Sequence, residues 1–132
     1  MAKTVEDLDG TYSSLKSLLV EFETPGAGLV LQGRSASDGD FDLWSVRDLV
    51  IEGRSRKEIF FAGIRRHKAF VGFYYFPIYC VPSLAGALAP SLVKLLHGKS
   101  CFHIKTLDGG FLDQIRDALQ LGLDDYRKRG WV

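Results

Sequence analysis

The sequence predicts an α+β two-layer sandwich, in which N- and C-terminal helices pack on one face of a largely antiparallel sheet. Three observations lead to this fold class. Apolar residues recur at helical spacing near both ends, strand-like segments fill the middle, and tight turns join consecutive segments. Strands joined by hairpins pair antiparallel, and amphipathic helices must bury their apolar stripes against a sheet. At 132 residues, the chain fits one domain spanning 1–132.

The first helix is predicted from Thr4 to Glu23. Thr4 and Asp7 resemble a capping pair, Gly10 weakens the first turn, and the segment TPGAG ends the helix. The apolar residues step by three and four and form one stripe, which comprises Val5, Leu8, Tyr12, Leu15, Leu19 and Phe22.

Residues 29 to 76 are predicted to be strands. The segment FDLWSVRD alternates partly, EGRSRKE interrupts the pattern, and EIFFAGIRRHKAFVGFYYF forms two strands around a turn near Arg66 and His67. The second of these strands, residues 69 to 76, consists almost entirely of aromatic residues, valine and glycine. We therefore expect it to be central and covered on both faces.

Residues 83 to 97 are predicted to form two short helical pieces, with Pro90 at a first helical position and Gly98 as a C-terminal cap. In GKSCFHIK, residues 98–105, a period of two predicts a strand. One side of it carries Ser100, Phe102 and Ile104, and the other carries Lys99, Cys101, His103 and Lys105.

The last helix is predicted to start at an Asp108 cap, to run to about Arg129, and to end at a left-handed Gly130. Its apolar face comprises Phe111, Ile115, Leu119, Gly122 and Tyr126, flanked by Leu112 and Leu123.

The totals exclude several classes of protein. A net charge of +1 gives no global field to recruit nucleic acid or a membrane, and the apolar runs are too short for a membrane span. The segment MAKTVEDLDG lacks the apolar region of a signal peptide. Cys80 and Cys101 match no CxxC spacing, so we expect a cytoplasmic protein with two reduced thiols.

Three segments carry a family resemblance: FAGIRRHKAFVGFYYFPIY, LAPSLVKLLHGKSCFHIKTLD and the terminal DDYRKRGWV. Together they resemble the YdhG-like family of small bacterial domains of unknown function, over roughly residues 40 to 132. The resemblance implies a compact α+β domain without an established enzymatic activity. Some members are described as frataxin-like, which implies iron as a candidate cofactor, iron–sulfur assembly proteins as candidate partners, and a non-enzymatic accessory role as an iron chaperone.

Asp113, Asp117 and Asp124 are the candidate metal ligands. They fall within a narrow arc opposite the apolar stripe of the last helix, where carboxylate oxygens could hold ferrous iron. The alternative is a solvated helix face with ordinary ion pairs one turn apart.

A second hypothesis is a module that binds a small ligand or a protein partner on the aromatic and lysine-bearing face of the sheet. Its pocket candidates are Trp44, Tyr74, Tyr75, Cys101, His103 and Lys105. Cys101 and His103 share a strand face about 7 Å apart, so they could also join a metal site or a catalytic pair. An ordinary strand with a polar face is the favoured interpretation of these two residues.

Nucleic-acid binding is the weakest of the hypotheses. Six basic residues lie close together in the sequence beside aromatic strands: Arg54, Arg56, Lys57, Arg65, Arg66 and Lys68. Core aromatic residues beside a solvated turn explain the same pattern, and the net charge favours that explanation.

Overall fold

The structure is a computed structural model that describes residues 8–23, 31–34, 39–51, 53–105 and 109–131. Its helices are α1 (Leu8–Glu21), α2 (Phe76–Cys80), a 3₁₀ helix (Pro82–Ala87), α3 (Pro90–Val93) and α4 (Gly109–Arg129). Its strands are β1 (Leu31–Arg34), β2 (Asp40–Ile51), β3 (Arg54–Arg66), β4 (Val71–Tyr75), β5 (Leu96–His97) and β6 (Cys101–Ile104).

The six strands form one antiparallel sheet in the order β1–β2–β3–β4–β6–β5. Spatial order follows chain order except at one edge, where β6 pairs with β4 and β5 lies outside it. Helices α1 and α4 contribute to a single buried core on one face of this sheet, which we term the inner face. The predicted α+β two-layer sandwich is therefore confirmed.

Aromatic side chains connect α4 to the inner face. The Tyr126 ring meets the Phe61 ring edge-on at 5.2 Å, and its hydroxyl donates to the carbonyl of Phe60. The Tyr75 hydroxyl donates to the carbonyl of Ala118 on α4. Burial raises the pKa of both phenols, because the charged form would lose its hydration. These two tyrosines thus fix α4 to β3 and β4 through buried polar contacts.

Both long helices lie where their periodicity predicts. Leu15, Leu19 and Phe22 are buried at the sheet, and Gly10 is accommodated within α1. Helix α4 ends at Arg129, and Gly130 follows with a left-handed φ of +77°. The predicted Thr4–Asp7 and Asp108 caps, Val5 and the TPGAG segment lie outside the described residues.

The β2–β3 hairpin is longer than the sequence predicts. The segment EGRSRKE does not interrupt the strands, because Ile51 pairs with Arg54 and the strands continue through most of it. Gly53, with a φ of +79°, makes the tight turn. Because backbone pairing does not require apolar side chains, exposed charged residues can continue the strands to the tip.

Strand β4 is central, as predicted, and the expectation that both of its faces are covered holds in part, because the outer face is covered less completely than the inner one. Phe73 and Tyr75 are fully buried on the inner face, whereas Tyr74 on the other face is half-buried. Gly72 is covered there by side chains, since a Cβ would lie 3.0 Å from the Tyr74 ring and 3.4 Å from His67. An antiparallel sheet in a two-layer fold needs helices on one face alone.

The segment after β4 follows the prediction in part. Pro90 begins α3 directly after the Ala89 cap, as expected. The helical structure ends at Val93, however, and Leu96 and His97 form β5. Gly98 has the expected left-handed backbone, with a φ of +73°, but it turns the chain from β5 into β6 instead of capping a helix. The hairpin register explains this difference, because Leu96 pairs with Phe102.

Candidate functional site

The outer face of the sheet, turned away from α1 and α4, gathers polar and aromatic side chains. Residues opposite each other on neighbouring strands point to the same face. One row across the sheet contains Asp42, Gly63, Tyr74, Cys101 and His97, and the next contains Asp40, Arg65, Gly72 and His103. Trp44 follows Asp42 by two residues on β2 and shares this face. Four pocket candidates, Trp44, Tyr74, Cys101 and His103, are therefore on the outer face.

All three histidines of the chain join one column of stacked rings on this face, which we term the histidine column. Its order is His67, Phe70, His103 and His97. Successive ring centroids are 4.5, 3.9 and 3.9 Å apart, with interplanar angles of 27°, 18° and 7°. The column therefore connects the β3–β4 turn to β6 and to the edge strand β5.

Local backbone contacts hold the first two rings of the column in place. The amide of His67 donates to the carbonyl of Phe70 at 2.9 Å, which closes the β3–β4 turn. Arg66 donates to the carbonyl of His67 and also contacts Asp9 of α1 at 3.0 Å. The turn is thus anchored to both layers of the sandwich.

The surroundings of His103 favour its neutral form. Burial lowers its pKa, and three further bases, His97, His67 and Lys105, lower it in the same direction. The parallel rings are also unsuited to a shared metal ion, because imidazole lone pairs lie in the ring plane and two parallel planes cannot both contain the ion. The geometry of the column is therefore that of stacked rings and not of metal ligands.

A polar network lies beside the column. Two guanidinium nitrogens of Arg65 donate to the two carboxylate oxygens of Asp42, and Asp40 lies 3.7 Å from the same group. The guanidinium carbon is 5.6 Å from the centre of the Tyr74 ring. Gly63 provides the space, since a Cβ there would be 2.2 Å from an Asp42 oxygen.

Cys101 is part of this network as a thiol. Its sulfur and the Tyr74 hydroxyl are hydrogen-bond partners. Burial raises the pKa of Cys101, and the hydrogen bond from Tyr74 opposes that effect without cancelling it. A nucleophilic cysteine requires a lowered pKa. The environment therefore agrees with the favoured interpretation of an ordinary strand and gives no support to a Cys–His catalytic pair.

A groove of about 870 Å³ opens at the end of the sheet where α2, the tip of the β2–β3 hairpin and the β5–β6 turn meet. The C-terminal segment after α4 forms its remaining wall. The lining residues are Val50, Arg56, Ile59, Phe76, Ile78, Tyr79, Cys80, Ala85, Leu96, Gly98, Lys99, Arg129 and Trp131.

The groove combines an apolar surface with positive charge. Val50 and Tyr79 line it and are 71% and 50% exposed, so both present apolar surface to solvent there. Arg56, Lys99 and Arg129 are its charged lining residues, and no carboxylate lines it among the residues that the structure describes. The groove is therefore suited to an anion that also has an apolar part.

A chain of aromatic contacts joins the outer face to the groove. The centroid of Trp44 is 5.4 Å from that of Phe60, and Phe60 is 6.1 Å from Phe76. Phe76 stacks on Tyr79 at 5.2 Å. Trp44 is not a lining residue of the groove. It is connected to the exposed Tyr79 ring through the rings of Phe60 and Phe76.

The two remaining pocket candidates, Lys105 and Tyr75, lie in different environments. Lys105 is exposed just after β6, close enough for its charge to lower the pKa of His103. Tyr75 is 0% exposed and points into the core, so its assignment to the ligand surface is wrong. Adjacent residues on a strand point to opposite faces, and Tyr74 already occupies the outer one.

The three candidate aspartates, among the four on α4, are all exposed, and two of them take part in ordinary surface contacts. Asp113 pairs with Arg116 at 2.8 Å, and Asp124 lies 3.6 Å from Arg127. Asp117 is exposed. Within the described part of the chain, no group of three or more histidine, cysteine, aspartate or glutamate side chains could hold a metal ion. The geometry fits the alternative of a solvated helix face.

The fold separates the six basic residues, which are close in the sequence, into two groups. Strand β3 runs from Arg54 to Arg66, so the six residues divide between its two ends, roughly 40 Å apart at the rise of an extended strand. At one of these ends, Arg65 and Arg66 already contact Asp42 and Asp9. The fold therefore divides the basic segment into two separate surfaces.

Sequence reasoning missed the histidine column and most of the groove. The pattern predicts a turn at His67 and the end of a helical piece at His97, and their convergence depends on β5 folding back beside β6. Tyr79, Arg129 and Trp131 come from segments whose meeting depends on the path of α4. Tyr79 is the exception, because the sequence already places it, between Pro77 and Pro82, in the aromatic-rich set on or near the sheet that could converge in a cleft.

Comparison with protein-family models, with curated proteins and with solved structures finds no match to this chain. The YdhG-like resemblance is therefore still a prediction. No helix within the described ranges is both long and apolar enough to cross a membrane.

Proposed function

We propose that this protein is a non-enzymatic binding module that takes a small anionic ligand with an apolar body in the groove beside α2. The observation that supports the proposal is the lining of the groove. Three cationic side chains line the groove together with exposed apolar side chains, with no carboxylate among the described lining residues. The sequence led to the same kind of function, a binding module, but the site proposed here lies at the end of the sheet and not on the middle of its face.

The size and surface of the groove suit such a ligand. Small-molecule sites commonly measure about 300–1,000 Å³ and combine apolar walls with a few polar groups, and the volume here is about 870 Å³. An apolar ligand body would cover Tyr79 and Val50, and each Å² removed from water contributes about 25 cal/mol. The cations would then select a negative charge and orient it.

The cations differ in how firmly they are held. Arg129 donates to Asp125 at 2.8 Å and lies 5.1 Å from the centre of the Trp131 ring. Its position is thus fixed before any ligand binds, although Asp125 offsets part of its charge. Lys99 is exposed on the β5–β6 turn, and Arg56 is exposed on β3. We expect Lys99 and Arg56 to contribute most of the charge selectivity.

Naphthalene-2-sulfonate is a suitable probe, because it joins a flat apolar body to a permanent negative charge. We expect its titration to shift the amide NMR signals of Tyr79, Gly98 and Lys99 selectively. Lys99→Gln should raise the apparent Kd about threefold to fivefold, as expected for one partly exposed ion pair worth up to about 1 kcal/mol. Lys94→Gln is the matched control, since Lys94 is exposed but lies outside the groove lining.

Two results would contradict the proposal. One is a set of small shifts spread over the whole surface, and the other is an equal effect of Lys99→Gln and Lys94→Gln. The neutral naphthalene-2-sulfonamide provides a further comparison, since a groove that selects anions should bind it more weakly than the sulfonate.

The iron-chaperone hypothesis, which comes from the family resemblance, leads to a different experiment. An anaerobic titration with ferrous iron should broaden the amide signals around Asp113, Asp117 and Asp124 if those side chains bind the ion. Neutralising all three should then abolish the broadening, and broadening that persists would exclude them as ligands.

A further inference from the structure

The β5–β6 hairpin provides one wall of the groove, and the histidine column holds that hairpin. Leu96, Gly98 and Lys99 line the groove, and His97 lies between them in the sequence. The His97 ring stacks on His103 at 3.9 Å with an interplanar angle of 7°. Any change that separates these two rings acts directly on the wall of the groove.

Apart from the ring contact, β5 makes only limited pairing with the sheet. It is a two-residue edge strand that pairs with β6 through Leu96 and His97. The amide of His103 donates to the carbonyl of Leu95 at 3.0 Å, and Leu96 is half-buried. The amide of Tyr75 also donates to the carbonyl of Ser100, next to the β5–β6 turn, at 2.9 Å. Because β5 itself is so short, we expect the ring contact to contribute to keeping it closed on β6.

The charged groups around the column are mainly bases. His67 lies in the β3–β4 turn beside Lys68, and Arg66 donates to its carbonyl. Lys105 follows β6, and Lys99 lies in the β5–β6 turn. The Arg65 guanidinium, in the same row as His103, is paired with Asp42 and lies near Asp40. The side chains of Tyr74 and Cys101 are hydrogen-bonded to each other.

We propose that the His97–His103 stack is a proton-sensitive latch that holds the β5–β6 hairpin closed against the groove and releases it when both rings become charged. The inference rests on the proposed function for its consequence, which is release of the ligand on acidification. The latch itself depends on the ring geometry and can be tested without any ligand.

The physical reason is the short distance between the two rings. One proton on the pair can be tolerated, because an imidazolium is attracted to the face of a neutral ring. Two protons place like charges 3.9 Å apart in a region that already contains other bases. The third histidine differs, because Phe70 separates His67 from His103.

The direction of the pH effect follows from linkage. The pKa of His103 is lowered in the closed state, so the closed state binds fewer protons than an open state with solvated imidazoles. Closure is then favoured above the ordinary histidine pKa, around 6.5, and is lost as the pH falls below it.

The first experiment is an NMR titration of the protein alone from pH 7.5 to 5. We expect the His97 and His103 ring protons to titrate in two separated steps, and the amides of residues 96–103 to exchange several-fold faster after the second step. His97→Gln should remove this acid-dependent change, whereas the matched control His67→Gln should preserve it. Independent titration of the two rings without any change in the hairpin amides, or opening that persists in His97→Gln, would overturn the latch.

The second experiment measures naphthalene-2-sulfonate binding at pH 7.5 and 5.5, since the sulfonate keeps its charge over this range. A latch predicts a several-fold loss of affinity at the lower pH. Simple attraction by new imidazolium charges predicts a gain, and a gain would overturn control of the groove by the latch. A probe that fails to bind at either pH would count against the proposed function, while the ring titration would still decide on the latch.

Discussion

Replacing Gly122 with alanine should destabilise the protein, although alanine is the better helix former. Gly122 is buried on α4, where a Cβ would lie 2.7 Å from the Pro77 ring and 2.7 Å from the Tyr75 hydroxyl. Both distances are well below ordinary contact distances. Neither neighbour moves freely, because Pro77 is a ring within α2 and Tyr75 is fully buried.

The expected size of the effect comes from three contributions, of which one stabilises the variant and two destabilise it. Helix propensity alone would stabilise the alanine variant by about 1 kcal/mol. Overpacking in a close-packed core costs about 1–3 kcal/mol. Moving α4 outward would also stretch the bond from Tyr75 to the carbonyl of Ala118, which contributes about 1 kcal/mol. We expect a net loss of about 1–3 kcal/mol in the free energy of unfolding, and a fall of about 3–10 °C in Tm.

Urea unfolding followed by circular dichroism measures this effect, with Gly86→Ala as the matched control. Gly86 is exposed, and a Cβ added there would have no described atom within 4 Å. Its substitution should therefore change stability by less than about 0.5 kcal/mol. Tyr75→Phe removes one of the two close atoms, so Gly122→Ala should cost less in that background. A Gly122→Ala variant that is more stable than the parent would refute the packing of α4 on α2.

Two further predictions concern the outer face. Gly63→Ala should displace the Asp42 carboxylate, because the new Cβ would lie 2.2 Å from one of its oxygens. The free energy of unfolding, measured in urea, should fall by about 1 kcal/mol. An unchanged unfolding midpoint would contradict the ion-pair geometry. The Cys101 thiol should react slowly with iodoacetamide at neutral pH, because burial raises its pKa. The labelling rate should increase at a higher pH in the folded protein than in the unfolded protein. Rapid labelling of the folded protein at neutral pH would contradict this environment.

The periodicity of the sequence predicted the layers of the fold but not the reach of every strand. The stripe of α4 is confirmed by buried Ile115, Leu119 and Tyr126, since helix faces repeat every 3.6 residues whatever the partner. The alternation around Cys101 and His103 is also confirmed, with Phe102 and Ile104 fully buried on the other side. The predicted element boundaries were wrong where backbone pairing between strands, and not side-chain polarity, decides the structure, as at Gly98.

The candidate site was predictable only in part, for the same reason. Sequence spacing relates residues within one element, so it placed Tyr74 and His103 on strands but assigned Tyr75 to the wrong face. A surface built from several elements depends on which strands become neighbours. The aromatic character of the outer face was predictable, whereas its division into a histidine column and a groove was not.

By itself, the sequence determined the fold class, the apolar stripes of both long helices and the two-sided strand of GKSCFHIK, because these follow from local periodicity. Only the tertiary structure decided that β5 folds back outside β6, which brings His97 onto His103. Only the tertiary structure brought Tyr79, Lys99 and Arg129 to one groove. The physical reason is that long-range contacts depend on how the buried faces fit together, and a linear pattern specifies those faces without specifying their neighbours.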